Sequence, residues 1–247
     1  MNHSHGLTIV GVGPGDPSLI TLAAIREIES ADVIAFPISN EGGESMAAHI
    51  ACKWIAPEMK KLPLIFPMVN EDEIKQTAWR DAGQVLIKEV DDGKKVAFLC
   101  QGDVSLFATG SYLLLEMLSS YPECPVRLIP GVTAVSAAAA AAKWPLALEK
   151  DQLLIVPTPD NVRDLETLLQ ESSFSNRALA LIKLGHRWPL VRSVLVKEDL
   201  LRSSLFVQRV GFPDQKIIDA SELDESAKPY FSLLLIRKNT RKYFPLS

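Results

Sequence analysis

Three short turns hold the residues of this chain that could do chemistry. They read GVGPGDPSLITL at residues 11–22, GDVSLFATGSYL at 102–113 and IPGVTA at 129–134. Each follows an apolar run, LTIV, VAFLC or VRLI, and each leads into a helical pattern. A glycine after a strand lets the backbone come close to a ligand, and a helix start offers free N–H donors. In the first turn Gly11 and Gly13 are spaced as in a dinucleotide loop, and Asp32 lies near where a ribose-binding acid would be expected. The third glycine of that fingerprint is replaced by Asp16, whose charge would repel a pyrophosphate. Asp16 precedes Pro17, a residue favoured at the first helical position, so it reads as an N-cap. Gly102 and Asp103 repeat that logic in the second turn, where Asp103 reads as a cap or a ligand group. In the third, Pro130 and Gly131 make the turn and Thr133 opens an alanine-rich helix.

The elements that must position these turns alternate. Strands are expected at LTIVGV, VIAFP, KLPLIF and KVAFLC, with helices over 17–30, 44–54, 71–91 and 106–119. Pro63 marks KLPLIF as an edge strand. This alternation implies parallel pairing through helical crossovers, with ligands at the carboxyl edge of the sheet. The segment SSYPECP, residues 119–125, breaks the pattern and is the expected boundary between domains 1–121 and 122–247. Beyond it, strands are expected at VRLI, QLLIVP, ALALIKL, SLFVQRV and YFSLLLIR, with helices over 132–143, 162–172 and 188–196. The last two strands leave no room for a full crossover helix, so the second sheet is expected to be mixed. The fold class is therefore α/β in two domains, mainly parallel in the first and mixed in the second.

Composition narrows the function. The chain of 247 residues is 47% hydrophobic and 23% charged, ordinary for a globular protein. A net charge of −4 gives no footprint for non-specific nucleic-acid binding. Three dispersed cysteines, Cys52, Cys100 and Cys124, argue against a disulfide framework or a zinc site and for a reducing compartment. MNHSHG is unlike a signal peptide, and no apolar run reaches the roughly 18 residues of a membrane span. A cytoplasmic protein without membrane or metal is expected.

In order and spacing, the three turns resemble the tetrapyrrole methylase family over nearly the whole chain. The family pattern of a G-x-G-P-G-D-P turn, a G-D-P loop and an I-P-G-[IV]-[ST]-[SA] turn is met by the segments quoted above. ADVIAFPISNEGGESMAAHIA, LIFPM, LALIKLGH and PYFSLLLI are similar to the branch that methylates C20 of precorrin-2 or cobalt-precorrin-2 in cobalamin biosynthesis. The resemblance implies two α/β domains with S-adenosylmethionine in the cleft between them, a tetrapyrrole substrate and a homodimer. It assigns Gly102, Asp103, Val104, Leu106, Thr109, Thr133, Ala134, Leu184 and Gly211 to the methyl donor. Pro14 and Asp16 face the tetrapyrrole side on this reading.

Three positions depart from the family pattern. Val104 replaces the proline of G-D-P, Phe107 stands where tyrosine is common, and His186 follows KLG where arginine is common. The substrate is a polycarboxylate, which suits lysine and arginine. Lys183, His186 and Arg187 in IKLGHRWPLVR are therefore expected along one side of its pocket, with Arg192 more in keeping with a solvated helix face. No Ser-His-Asp or Cys-His arrangement can be drawn from the spacings, so the catalytic residues stay unknown. The rival readings are another methylase of the family with a different position or acceptor, and a non-catalytic nucleotide-binding α/β protein.

Overall fold

The computed structural model describes residues 6–69, 71–173 and 177–237. The chain forms two compact units, residues 1–134 and 135–247. Both are α/β.

The first unit holds a five-stranded parallel sheet. Its strands are β1 (Gly6–Gly11), β2 (Val33–Ile38), β3 (Lys60–Ile65), β4 (Lys95–Cys100) and β5 (Val126–Ile129), in the order β3-β2-β4-β1-β5. β1 and β4 are central and buried on both faces, which is why LTIV and VAFLC are continuous apolar runs. Pro63 lies in the edge strand, as expected. Pro37 of β2 is tolerated because pairing with β4 covers only Val33, Ile34 and Ala35.

Four helices cover the sheet: α1 (Leu22–Glu29), α2 (Met46–Ala51), α3 (Asp72–Asp91) and α4 (Thr109–Ser120). Leu7, Ile9 and Phe98 pack with Leu86 of α3 and Leu113 and Met117 of α4. α1 lies on the other face, where Thr8 Oγ1 donates to Glu27 at 2.7 Å. Gly83 fits α3 against α4; a Cβ there would lie 3.2 Å from Glu116 Cγ and 3.3 Å from the Tyr121 ring.

Several helices start later or stop earlier than the sequence predicts. Pro17–Leu19 is a separate 3-10 turn, Ile20 is extended, and α1 begins only after Thr21, whose Oγ1 caps Ala24 N at 3.1 Å. α2 ends in the 3-10 turn Cys52–Trp54. α4 starts at Thr109 because Phe107 sits at φ 54, in the left-handed region that a right-handed helix excludes. The boundary also moves. VRLI, placed after the break at 119–125, is β5 and pairs with β1, so the first unit runs on through Ala134. The prolines of SSYPECP mark a turn within a sheet rather than a change of domain.

The second unit begins at Val135, within α5 (Ala134–Ala141). It then builds β6 (Gln152–Pro157), β7 (Arg177–Ile182), β8 (Ser204–Gln208), β9 (Lys216–Asp219) and β10 (Ser232–Ile236). Strand order is β6-β7-β10-β8-β9, with β6 parallel to β7 and the other pairs antiparallel. The mixed sheet is as expected, but β9 has no counterpart in the sequence reading. It is a short edge strand with a charge at each end, KIID. α6 (Val162–Ser173) and α7 (Trp188–Lys197) bury Leu165, Leu169, Val191, Val194 and Leu195 with Phe206 and Leu234. Trp188 is fully buried there, and its indole N–H donates to the Asp224 carbonyl at 2.7 Å. Among the described residues, no helix is long and apolar enough to cross a membrane.

Candidate functional site

Adjacent strands β1 and β4 send the chain in opposite directions. After β1 it crosses to β2 on the α1 face, and after β4 it crosses to β5 on the α4 face. Their carboxyl ends form a topological switch point, the place where open α/β sheets bind ligands. The three glycine turns all meet there.

Direct bonds weld these turns together. Gly13 and Gly102 exchange backbone bonds, Gly102 N to Gly13 O at 2.7 Å and Gly13 N to Gly102 O at 3.2 Å. Both have positive φ, 80° and 75°, a conformation that favours glycine. Gln101 Nε2 donates to the Pro14 carbonyl at 3.0 Å. Gly11 and Gly131 are needed for close approach. A Cβ on Gly11 would come within 2.7 Å of Gly131 N, and one on Gly131 would fall on Gly102 O.

Asp103 joins the second and third turns. Its Oδ2 accepts from Gly131 N at 2.9 Å, and its Oδ1 accepts from Ser105 N at 2.8 Å and Ser105 Oγ at 2.5 Å. Partial burial raises its carboxyl, but these bonds together outweigh burial and hold it below the usual carboxylate range. Asp103 is thus a clamp between two turns, with both oxygens committed. Val104 is buried, and its carbonyl accepts from Ser111 Oγ at 2.8 Å, an arrangement valine supports without the family's proline. Gly110 lets α4 start directly on the sheet; a Cβ there would meet Cys100 Sγ at 2.5 Å and Ile9 Cγ2 at 2.7 Å.

The remaining expected residues of this unit fall around the knot. Leu106 and Thr109 are half-buried on the way into α4, and Thr133 and Ala134 are half-buried at the start of α5. Beside Gly102, added bulk would meet no protein atom within 4 Å, so the backbone there faces open space. Asp16 caps only the 3-10 turn, accepting from Ser18 N at 2.8 Å, and that bond holds its carboxyl low. Pro14 is buried, so it meets its surroundings through the carbonyl held by Gln101.

In the second unit, the expected residues cluster beyond the carboxyl end of β7. Leu184 is buried and its N–H donates to Ser232 O at 3.1 Å. Lys183 is strained at φ 56 and half-buried; burial lowers its ammonium, and the nearby Arg187 lowers it further. Arg187 Nε donates to Asp160 at 2.6 Å, while its other arm reaches Lys183 O at 3.3 Å. His186 is exposed. Gly211, at φ 83, belongs to the turn after β8 and donates to Gln215 Oε1 at 2.9 Å. Arg192 is paired with Glu225 at 2.9 Å and its Nε donates to the Leu223 carbonyl at 3.3 Å, so it is half-buried against the chain rather than on a solvated face.

Sequence reasoning missed Gln101, Ser105 and Asp160. Gln101 and Ser105 flank Gly102 and Asp103, so proximity to the turn was their only signal. Asp160 lies 27 residues from its partner Arg187, and no local pattern announces it. Among the described residues, no group of three or more His, Cys, Asp or Glu could hold a metal ion.

A glycine-welded switch point in a two-unit α/β chain is the frame of one class of protein, and comparison supports it. Residues 6–225 match the Tetrapyrrole (Corrin/Porphyrin) Methylases, and the chain belongs to that family. The cobalt-precorrin-2 C(20)-methyltransferase of Salmonella typhimurium is 30% identical over 236 residues, covering 94% of this chain and 96% of that protein. The precorrin-2 C(20)-methyltransferase of a Sinorhizobium species is 26% identical over 235 residues, covering 92% and 93%. The crystal structure of the methyltransferase CobJ superposes with a TM-score of 0.69 at 22% identity over 95% of each chain, a likeness of fold.

Proposed function

We propose that this protein transfers a methyl group from S-adenosylmethionine to C20 of precorrin-2 or cobalt-precorrin-2 in cobalamin biosynthesis. One observation carries the reading: the three glycine turns meet at the β1–β4 switch point in a chain whose full-length relatives bear that name. The donor supplies a methyl group on a sulfonium that is already a good leaving group. The chain's own work is therefore to bind, align and exclude water, and good alignment is worth roughly 7–11 kcal/mol of barrier.

The open space beside Gly102 fits a ligand lying on the backbone. We assign the donor to Gly102, Val104, Leu106, Thr109, Thr133 and Ala134, with Asp103 holding two of the turns in place. Leu184 and Gly211 are assigned to the donor by the resemblance alone. Lys183, His186 and Arg187 are assigned to the carboxylates of the substrate, and the resemblance assigns Pro14 and Asp16 to the substrate as well. Asp16 is exposed enough to reach a ligand, but its bond to Ser18 N keeps it ionised, which suits an acceptor and not an acid.

The reading includes a homodimer in the cytoplasm. The exposed side chains of Tyr112, Leu115 and Leu118, three residues apart along α4, give the first unit an apolar stripe for a twofold contact. The test of function is incubation with S-adenosylmethionine and either metal-free or cobalt precorrin-2, followed by mass spectrometry and location of the new methyl. One added methyl at C20 is expected; no mass gain with either substrate overturns the assignment.

A further inference from the structure

The segment 228–232, which leads into β10, is stitched to the loop after β7. Lys228 N donates to Gly185 O at 3.2 Å, Leu184 N to Ser232 O at 3.1 Å and Gly185 N to Ser232 Oγ at 3.2 Å. Gly185 lies under Tyr230, whose Cα would be 3.5 Å from any Cβ placed there. Tyr230 is therefore held in place against the loop that carries Lys183 and Arg187. It nevertheless stays 43% exposed, edge to face with Phe231 at 5.3 Å, and Phe231 is 38% exposed. Two exposed rings beside a cationic loop leave apolar surface open to a ligand.

The charges nearby are unevenly satisfied. Arg187 is paired with Asp160 at 2.6 Å, Arg209 with Asp214 at 2.7 Å and Lys228 with Asp224 at 2.6 Å. Lys183 is half-buried, and among the described residues no carboxylate pairs with it. Its backbone is also strained at φ 56, which costs about 1–2 kcal/mol for a residue with a side chain. An exposed ring and an unmatched cation on two segments stitched together at Gly185 fit one kind of ligand, a broad apolar ring with carboxylates on its rim.

We propose that Tyr230 and Lys183 form one subsite of the substrate pocket, the Tyr230 ring lying against a pyrrole face and the Lys183 ammonium taking a rim carboxylate. This rests on the tetrapyrrole reading above and adds Tyr230, which lies in the PYFSLLLI segment of the resemblance but was given no role there. The test has two arms. In the first, KM and kcat for precorrin-2 methylation are compared in wild type, Tyr230→Ala, Tyr230→Phe and Lys183→Met, with S-adenosylhomocysteine affinity measured by calorimetry. Tyr230→Ala and Lys183→Met should each raise KM about tenfold, with kcat and donor affinity held within threefold; Tyr230→Phe keeps the ring and should stay near wild type.

The second arm is fluorescence titration with uroporphyrin, a stable carboxylated macrocycle that needs no turnover. Tyr230→Ala should weaken its binding about tenfold and Tyr230→Phe should not. A chain that binds uroporphyrin in this way but does not methylate precorrin-2 would remove the functional reading and leave the subsite standing. Unchanged KM and uroporphyrin affinity in Tyr230→Ala would overturn the subsite, as would equal damage from Tyr230→Phe.

Discussion

Removing the Asp103 carboxylate should release the third turn from the second while leaving the sheet beneath intact. The bond from Gly131 N to Asp103 Oδ2 is 2.9 Å, and Gly131 is otherwise wedged against Gly102 and Gly11. A hydrogen bond to a charged group contributes about 1.5–3 kcal/mol, and partial exposure of Asp103 reduces this to about 1–2 kcal/mol. In Asp103→Ala, protection of the Gly131 amide against hydrogen exchange should therefore fall by about 5- to 30-fold. The amides of β1 and β4 should keep their protection, because the bonds between those strands do not pass through Asp103.

The effect also has a pH signature. The folded carboxyl titrates below its ordinary value of 3.8, so its contribution is complete above that value. It is lost as pH falls through the lower folded value. The gap between wild type and Asp103→Asn should therefore close in acid, where wild type becomes neutral as well. The assay is amide exchange read by NMR at several pH values. Unchanged Gly131 protection in Asp103→Ala, or a gap that persists once the wild-type carboxyl is protonated, refutes the clamp.

Other substitutions test neighbouring parts of the same structure. Gly131→Ala should lower stability by more than about 3 kcal/mol, since its Cβ would fall on the Gly102 carbonyl, whereas Gly102→Ala meets no atom and should lose only about 1–2 kcal/mol from its φ of 75°. Thermal unfolding distinguishes the two, and calorimetry should show Gly102→Ala losing affinity for S-adenosylmethionine out of proportion to its stability. Burial pushes the Cys100 thiol up to about 12, while Cys52 is exposed, so iodoacetamide at pH 8 should label Cys52 and spare Cys100 in the folded protein by mass spectrometry. Early labelling of Cys100 would contradict its packing against Ile9 and Gly110. Leu115→Glu places a charge on the exposed stripe of α4 and should leave a folded monomer in sedimentation velocity; an unchanged dimer would move the contact elsewhere.

The sequence by itself determined the alternation of strands and helices, the parallel first sheet and the mixed second one. These follow from local period and spacing, which survive in any compact arrangement: an apolar run such as VAFLC has to be buried on both faces, and Pro63 can lie only at an edge. It also marked the three turns, because glycine at Gly13 and Gly102 answers a backbone need that no other residue meets cheaply. Element ends were less legible. Asp16 and Pro17 do start a helical turn, but Ile20 turns it off after three residues, and Thr21 caps the true helix. Phe107 delays α4 by a left-handed backbone that its side chain does not announce.

Only the tertiary structure decided what those residues do to one another. Gly11 and Gly131 lie 120 positions apart in the chain, and the need for glycine at both arises from their contact alone. Asp103 looked like a cap and proves to be a tie to Gly131, because both its oxygens are reached by donors from two different turns. VRLI looked like the start of a second domain until pairing with β1 claimed it for the first. Lys183 and Tyr230 stand far apart in sequence and share a loop cluster only through the bonds between 183–187 and 228–232. Local chemistry is written in neighbouring residues. Which cation lacks a carboxylate, and which ring stays uncovered beside it, depends on pairings across the sheet that no window of sequence contains.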